Sequence, residues 1–221
     1  MKKITIAIDG PAAAGKSTVA KLVAKELDYI YIDSGAMYRC ITYKALKEKI
    51  DVNDEEALYE MALRTNIDLK GSKVFMDDKD VSRNIRGIEV TKNVSVVSAH
   101  SKIREVLVKK QQELGKHGGI VMDGRDIGTA VFPNAELKIF QVASVEQRAK
   151  RRYEENLEKG IECDLNEIEA DIKRRDDIDS HRKVSPLTMA SDAIMLDTSF
   201  STPQESAAKV LKIVNELLEG E

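Results

Sequence analysis

The stretch IAIDGPAAAGKSTVAKLV, residues 6–23, constrains the chain more than any other. A β-branched run ends at Asp9, and Gly10, then Gly15, Lys16 and Ser17 follow at fixed spacing. Val19, Leu22, Val23 and Leu27 come next, at helical spacing. This order predicts a strand that turns sharply into a helix, with backbone amides and the helix's positive end converging on one point. The candidate phosphate cradle is therefore Gly10, Pro11, Ala12, Ala13, Ala14, Gly15, Lys16, Ser17 and Thr18. Lys16 is the cation for the outer phosphates, and the Ser17 hydroxyl can ligate Mg2+. An ordinary tight turn with an incidental lysine would read alike, but the flanking strand and helix favour a nucleoside triphosphate as ligand.

The same strand-to-helix grammar recurs. YIYID at 29–33 predicts a second strand, and SGAMYRCITYKALKEK a helix opened by Ser34 as its cap. From about 51 to 116 the pattern changes to an acidic helix at 54–63, brief strands with polar turns in IDLKGSKVFMDDKDVS, and two helical stretches. Short apolar strands resume in GGIVMDGRD (118–126), AELKIFQVA (135–143) and DAIMLDTS (192–199). The predicted fold is an α/β P-loop fold, a five-stranded parallel sheet flanked by helices. It forms one domain over 1–221: a core of 1–50, 117–147 and 183–221, an insertion at 51–116, and a charged helical hairpin at 148–182 broken near 160–164. Asp9, Asp33, Asp123 and Asp197 fall at the strands' carboxyl ends, where such sheets bind ligands.

Several function classes are disfavoured. With 35 basic and 38 acidic residues the net charge is -3, so no global field draws the chain to nucleic acid or an acidic membrane. The N-terminal apolar run is broken at Asp9, too short for a signal peptide or a membrane span, which makes the cytoplasm the expected location. Cys40 and Cys163 lack paired or metal-ligand spacing and read as free buried thiols in a reducing compartment. His100, His117 and His181 are scattered, against a metal cage of protein ligands. A guanine-reading N-K-x-D is absent, the D-x-x-G pattern occurs only as Asp68 to Gly71 in a polar turn, and the chain is small for a motor. A small-molecule kinase fits best.

Two further stretches supply acceptor chemistry. DSGAMYR groups Ser34, Tyr38 and Arg39 near one helical turn, and VMDGRDIGT puts Arg125 beside Asp126 directly after a strand. The hairpin carries Arg148, Arg151, Arg152, Arg174, Arg175 and Arg182, interleaved with Asp176, Asp177 and Asp179. Taken alone such a run is a solvated helix face. Beside a phosphate cradle it reads as a lid whose guanidinium groups neutralise a phosphoryl group in transit and exclude water.

DGPAAAGKST, DSGAMYR, DGRDIGTAVFP, RRDDIDSHRKVSPL and ADAIMLDTS, in this order along nearly the whole chain, resemble the bacterial cytidylate kinases, the CMP kinase branch of the nucleoside monophosphate kinases. The resemblance implies ATP at Gly10 to Thr18, with Mg2+ held mainly by the ATP phosphates and touched by Ser17. It implies CMP or dCMP near Ser34, Tyr38, Arg39, Ser95, Arg104, Gly124, Arg125, Asp126, Asp179 and Arg182. It makes 51–116 a monophosphate-binding insertion with a small antiparallel sheet, and the hairpin a lid with Arg148 and Arg152. Lys16, Arg125, Arg175 and Arg182 become the residues expected to stabilise the transferring phosphoryl group. No nucleic-acid or membrane partner and a monomeric state are expected.

The residues themselves accord with a cytosine acceptor. Cytosine offers an amino donor beside acceptor N3 and O2, so its reader needs an acceptor and a donor. Asp126 and Arg104 supply that pair. Asp179 can accept from ribose hydroxyls, and Arg39, Arg125 and Arg182 suit a phosphate through forked contacts. Two other readings remain: a kinase for another small acceptor such as UMP, and a P-loop protein that senses nucleotide without catalysis.

Overall fold

The computed structural model describes residues 3–158 and 160–219. Strand β1 (Thr5–Asp9) leads through the glycine loop into helix α1 (Lys16–Leu27), and β2 (Ile30–Asp33) into α2 (Ser34–Glu48). The inserted region comprises α3 (Glu55–Leu63), the strands β3 (Ile67–Lys70), β4 (Lys73–Met76) and β5 (Lys79–Asp80), then α4 (Ile88–Ala99) and α5 (Ser101–Gly115). The core resumes with β6 (Ile120–Gly124) and β7 (Leu137–Val142). The hairpin is α6 (Val145–Glu158) and α7 (Leu165–His181), and β8 (Ile194–Asp197) and α8 (Pro203–Glu219) complete the chain.

The main sheet has the order β2-β6-β1-β7-β8, with every neighbouring pair parallel. The five-stranded parallel sheet flanked by helices is thus as predicted. β1 is buried along its whole length, consistent with an unbroken apolar run covered on both faces. Ile6 and Ile8 pack with Val19 and Val23 of α1 and Val210 and Val214 of α8, while Ala7, Ile32 and Met122 form the core of the opposite face. The connection from β1 runs to β2 on one side, and that from β6 runs to β7 on the other. The two therefore diverge at the centre of the sheet, where such folds open a crevice at the strands' carboxyl ends.

Register decides what meets there. Asp9 lies level with Gly124, and Asp33 with Asp123. The glycine loop, the start of α2 and the Gly124-Arg125-Asp126 turn therefore emerge at one level. The inserted region has its own antiparallel sheet, β3-β4-β5, and its own core, in which Leu58, Met61, Ile103 and Leu107 pack on Met37 and Ile41 of α2. Asp68 lies on β3 itself, and only Gly71 occupies the turn that the sequence reading gave to both.

Two local expectations change. Asp33, not Ser34, caps α2: its carboxylate accepts from the Ala36 amide at 2.9 Å, while the Ser34 hydroxyl donates to the Asp123 carbonyl at 2.6 Å. Side-chain reach explains the swap, because Ser34 is already inside the helix and faces β6. Cys40 is a buried free thiol, pushed up to about 12 by burial, but Cys163 is only half-buried, since the loop between the hairpin helices has no core to enter. Among the described residues no helix is long and apolar enough to cross a membrane.

Candidate active site

A cavity of about 570 Å³ opens over the carboxyl ends of β1, β2 and β6. Its floor is the glycine loop. Gly10 lies so close to β7 that a Cβ there would fall 2.0 Å from the Gln141 carbonyl oxygen, so only glycine permits this packing. Ala13 and Gly15 take left-handed backbone, φ 58° and 86°. Ala13, Ala14, Gly15, Lys16, Ser17 and Thr18 line the cavity, whereas Gly10, Pro11 and Ala12 lie behind it. The buried Lys16 side chain folds back to donate to the Pro11 carbonyl at 2.7 Å. Burial, reinforced by the Arg125 guanidinium, lowers its affinity for a proton well below the usual lysine range. A phosphate would reverse both influences.

Asp123, at the end of β6, is buried and accepts from Ser17 Oγ at 2.9 Å and from the Tyr31 hydroxyl at 2.7 Å. Burial and the nearby Asp33 raise its carboxyl above the usual range. Sequence reading placed Asp123 at a strand end without giving it a role; the pairing of β6 with β1, which leads into α1, is what brings it to Ser17. A hydroxyl and a carboxylate within one hydrogen bond of each other are hard oxygen donors that fit Mg2+ carried on nucleotide phosphates. Among the described residues no group of three or more His, Cys, Asp or Glu could hold a metal by itself.

The facing wall is made of ion pairs. Arg104 of α5 and Arg182, just past α7, both approach Asp126: Arg104 through a short hydrogen bond, Arg182 with Nη2 at 3.4 Å from Oδ1. All three are buried. The Arg104 guanidinium also stacks 5.5 Å from the Tyr38 ring centroid. Arg125 Nε donates to Asp179 Oδ2 at 2.7 Å, and the pairing holds the Asp179 carboxyl below its usual range despite burial. Among the described residues, Arg104 Nε at this wall is buried with no hydrogen-bond partner, and Arg182 Nη2 has only its 3.4 Å approach to Asp126. A polar ligand would satisfy such atoms.

Between floor and wall, Arg39 donates to the Ile85 carbonyl and to Thr91 Oγ1, and the Arg175 Nε reaches Ser95 Oγ at 3.4 Å. Burial, then mutual repulsion with neighbouring guanidiniums, pulls Arg39 down to about 9 and Arg175 to about 10. So dense a cation cluster calls for an anion. Ser34, Tyr38, Arg39, Ser95, Arg104, Gly124, Arg125, Asp126, Arg152, Arg175, Asp179 and Arg182 all line the cavity.

Arg148 does not. It is buried behind the glycine loop, donating to the Ala143 and Ala12 carbonyls and pairing with Asp176, because α6 starts only two residues after β7 and its first turn lies beside the loop. Arg174 is exposed and donates to the Lys92 carbonyl, and Asp197 is exposed with its carboxylate on Ser199. Sequence reading missed Arg86, which lines the cavity from the inserted region and pairs with Asp33 at 2.9 Å, and Gln141, whose amide donates to the Ala14 carbonyl at 2.6 Å. Neither sits in a motif; only pairing across 53 and 127 positions reveals them.

The family model described as cytidylate kinase matches residues 6–216. The cytidylate kinase of Bacillus subtilis (strain 168) is 56% identical over 219 residues, covering 97% of this chain and 98% of that protein. That of Enterococcus faecalis (strain ATCC 700802 / V583) is 53% identical over 220 residues, covering 98% and 97%. Among solved structures, a shikimate kinase from Bacteroides thetaiotaomicron superposes with a TM-score of 0.51 over 97% of this chain and 99% of that one. At 12% identity this is a likeness of fold alone.

Proposed function

The chain belongs to the cytidylate kinase family, and from that premise we propose how its site works. It transfers the γ-phosphoryl group of ATP to CMP, giving CDP and ADP; dCMP is the further acceptor proposed. The observation that carries the acceptor assignment is the buried Arg104–Asp126–Arg182 set facing the glycine loop across one cavity. Asp126 would accept the cytosine amino hydrogens while Arg104 donates to N3 and O2, a pattern that uracil cannot match.

Gly15 to Thr18 hold the donor's phosphates through backbone amides and the positive end of α1, and Lys16 leaves the Pro11 carbonyl to meet the outer phosphates. Ser17, with Asp123 behind it, would contact Mg2+. Carried on the nucleotide, the ion would supply charge neutralisation to its phosphates. Arg39, Arg125, Arg175 and Arg182 balance the charge of the acceptor phosphate and of the group in transit. Asp179 accepts from the ribose. No general base is needed, because the attacking oxygen belongs to an already anionic phosphate. The hairpin at 148–182 excludes water from above, and Leu157, Ile161 and Leu165 in its distal part are exposed.

The test is ADP release measured over CMP, dCMP, UMP, AMP and GMP. The expected order places CMP and dCMP first and UMP behind them. Equal use of UMP would sink the cytosine reading, and MgATP binding without ADP release on adding CMP would reduce the protein to a sensor.

A further inference from the structure

The loop that forms the cavity floor, Pro-Ala-Ala-Ala-Gly at 11–15, has no side chain able to hydrogen-bond. Nothing in its own composition decides which way its peptide planes face. In the fold, groups from outside the loop make that decision, and they act on alternate carbonyls.

The Ala12 carbonyl accepts from Arg148 Nη1 at 2.8 Å. The Ala14 carbonyl accepts from Gln141 Nε2 at 2.6 Å and, more distantly, from Thr198 Oγ1 at 3.4 Å. The described residues include no cis peptide, and in a trans peptide the N–H points opposite the carbonyl of the same unit. Drawing the Ala12 and Ala14 carbonyls back into the protein therefore turns the amides of Ala13 and Gly15 the other way. Both residues line the cavity, and both have left-handed backbone, the conformation that gathers successive amides into an anion-binding concavity.

The preceding unit, Pro11–Ala12, runs in the opposite sense. The Ala12 amide donates to Asp176 Oδ1 at 2.9 Å, away from the cavity, and the Pro11 carbonyl faces Lys16. Asp176 in turn accepts from Arg148 at 2.6 Å. One ion pair, with one member on each helix of the hairpin, thus fixes two consecutive peptide units. Arg148 is 4% exposed and committed to two carbonyls and a carboxylate, which leaves it unable to serve as a phosphate contact.

We propose that Gln141 and Arg148 are positioning residues that aim the Ala13 and Gly15 amides at the donor's phosphates, with Asp176 steadying Arg148. This rests on the reading of the loop as the donor-phosphate cradle. The physical gain is preorganisation: amides already aimed need no reorientation when the phosphate arrives.

Calorimetric titration of the folded full-length protein with MgATP, MgADP and CMP tests it in Gln141→Met and Arg148→Met. Each variant loses one anchor, so the Kd for MgATP and MgADP rises about tenfold, the worth of one aimed hydrogen bond to a charged group. The Kd for CMP stays within about twofold. Arg148→Lys, which keeps the cation for Asp176, recovers part of the loss. In wild type the Ala13 and Gly15 amide proton resonances shift downfield with MgADP; in Gln141→Met the Gly15 response shrinks selectively, and in Arg148→Met the Ala13 response does.

Folded variants that bind MgATP within twofold of wild type would overturn the proposal, as would an equal loss for CMP, which would mark a merely structural role. Should either methionine variant fail to fold, Arg148→Lys and the near-isosteric Thr198→Val carry the same comparison; unchanged donor affinity in both overturns it. If Lys16→Ala leaves wild-type MgATP affinity intact, the cradle reading itself falls, an outcome distinct from failure of the two anchors alone.

Discussion

The floor and the wall of the cavity present charge by opposite means. The floor presents backbone held by the fold, with the Lys16 ammonium folded back on the Pro11 carbonyl. The wall presents side chains, Arg104 and Arg182 on Asp126 and Arg125 on Asp179, paired with each other. An amide cradle offers the same donors to any polyphosphate. An ion-pair wall must exchange partners with its ligand, and only a ligand with complementary donors and acceptors repays that exchange. Damage to the floor should therefore appear as lost rate or stability, and damage to the wall's base-facing Arg104–Asp126–Arg182 set as lost selectivity.

Lys16→Ala gives the largest expected break in this comparison. It removes the floor's one mobile cation and should lower kcat/KM on the order of a thousandfold, within the range for losing a group that stabilises transition-state charge. Circular dichroism should be unchanged, and CMP and UMP turnover should fall by similar factors.

Asp9 tests the floor through stability. It precedes Gly10, and its buried carboxylate accepts from the Ile127 and Gly128 amides at 2.8 and 2.7 Å. Burial raises its folded pKa from 3.8 to about 6. A raised pKa means the folded state holds the proton more tightly. The stabilisation is complete below about pH 4 and is lost as pH rises through about 6, a change of about 3 kcal/mol. Urea unfolding of wild type and Asp9→Asn at pH 4 and pH 7 should show the wild type losing that much relative to the variant. A pH-independent difference would discard the argument.

Asp126→Asn probes the wall. The amide can rotate to donate to uracil O4, so the preference for CMP over UMP in kcat/KM should shrink by about tenfold to a hundredfold, the worth of a good polar base contact. Arg125→Ala should depress both acceptors alike. Equal loss of CMP and UMP in folded Asp126→Asn would make Asp126 a phosphate-site organiser.

The smallest effect serves as control. Arg64, just past α3 of the inserted region, and Glu48, at the end of α2, pair at 2.7 Å on the surface, both partly solvated. Glu48→Gln should cost no more than about 0.5 kcal/mol in urea unfolding and leave both substrates' kcat/KM unchanged. A larger cost there would show that this insertion's exterior feeds into the wall.

Much of the molecule was legible in order along the chain. The glycine spacing from Gly10 to Ser17 located a strand-to-helix loop, alternation of apolar strands and helices gave a parallel five-stranded sheet, and the Gly124-Arg125-Asp126 turn and the DSGAMYR stretch supplied residues that line the same cavity as the loop. These signals are local, because strand-to-helix turns and helix periodicity depend on residues a few positions apart. Tertiary structure decided what depends on register and reach. Asp33 and Asp123 are 90 residues apart in sequence by their numbers, and only the pairing of β2 with β6 makes them neighbours, as only the pairing of β1 with β6 delivers Asp123 to Ser17. Arg148 and Arg152 look interchangeable in a basic helix, yet one turn of α6 separates an arginine buried behind the loop from one lining the cavity. Direction of a side chain from a packed helix, and the facing of a peptide plane in an all-alanine loop, are set by neighbours more than a hundred residues away.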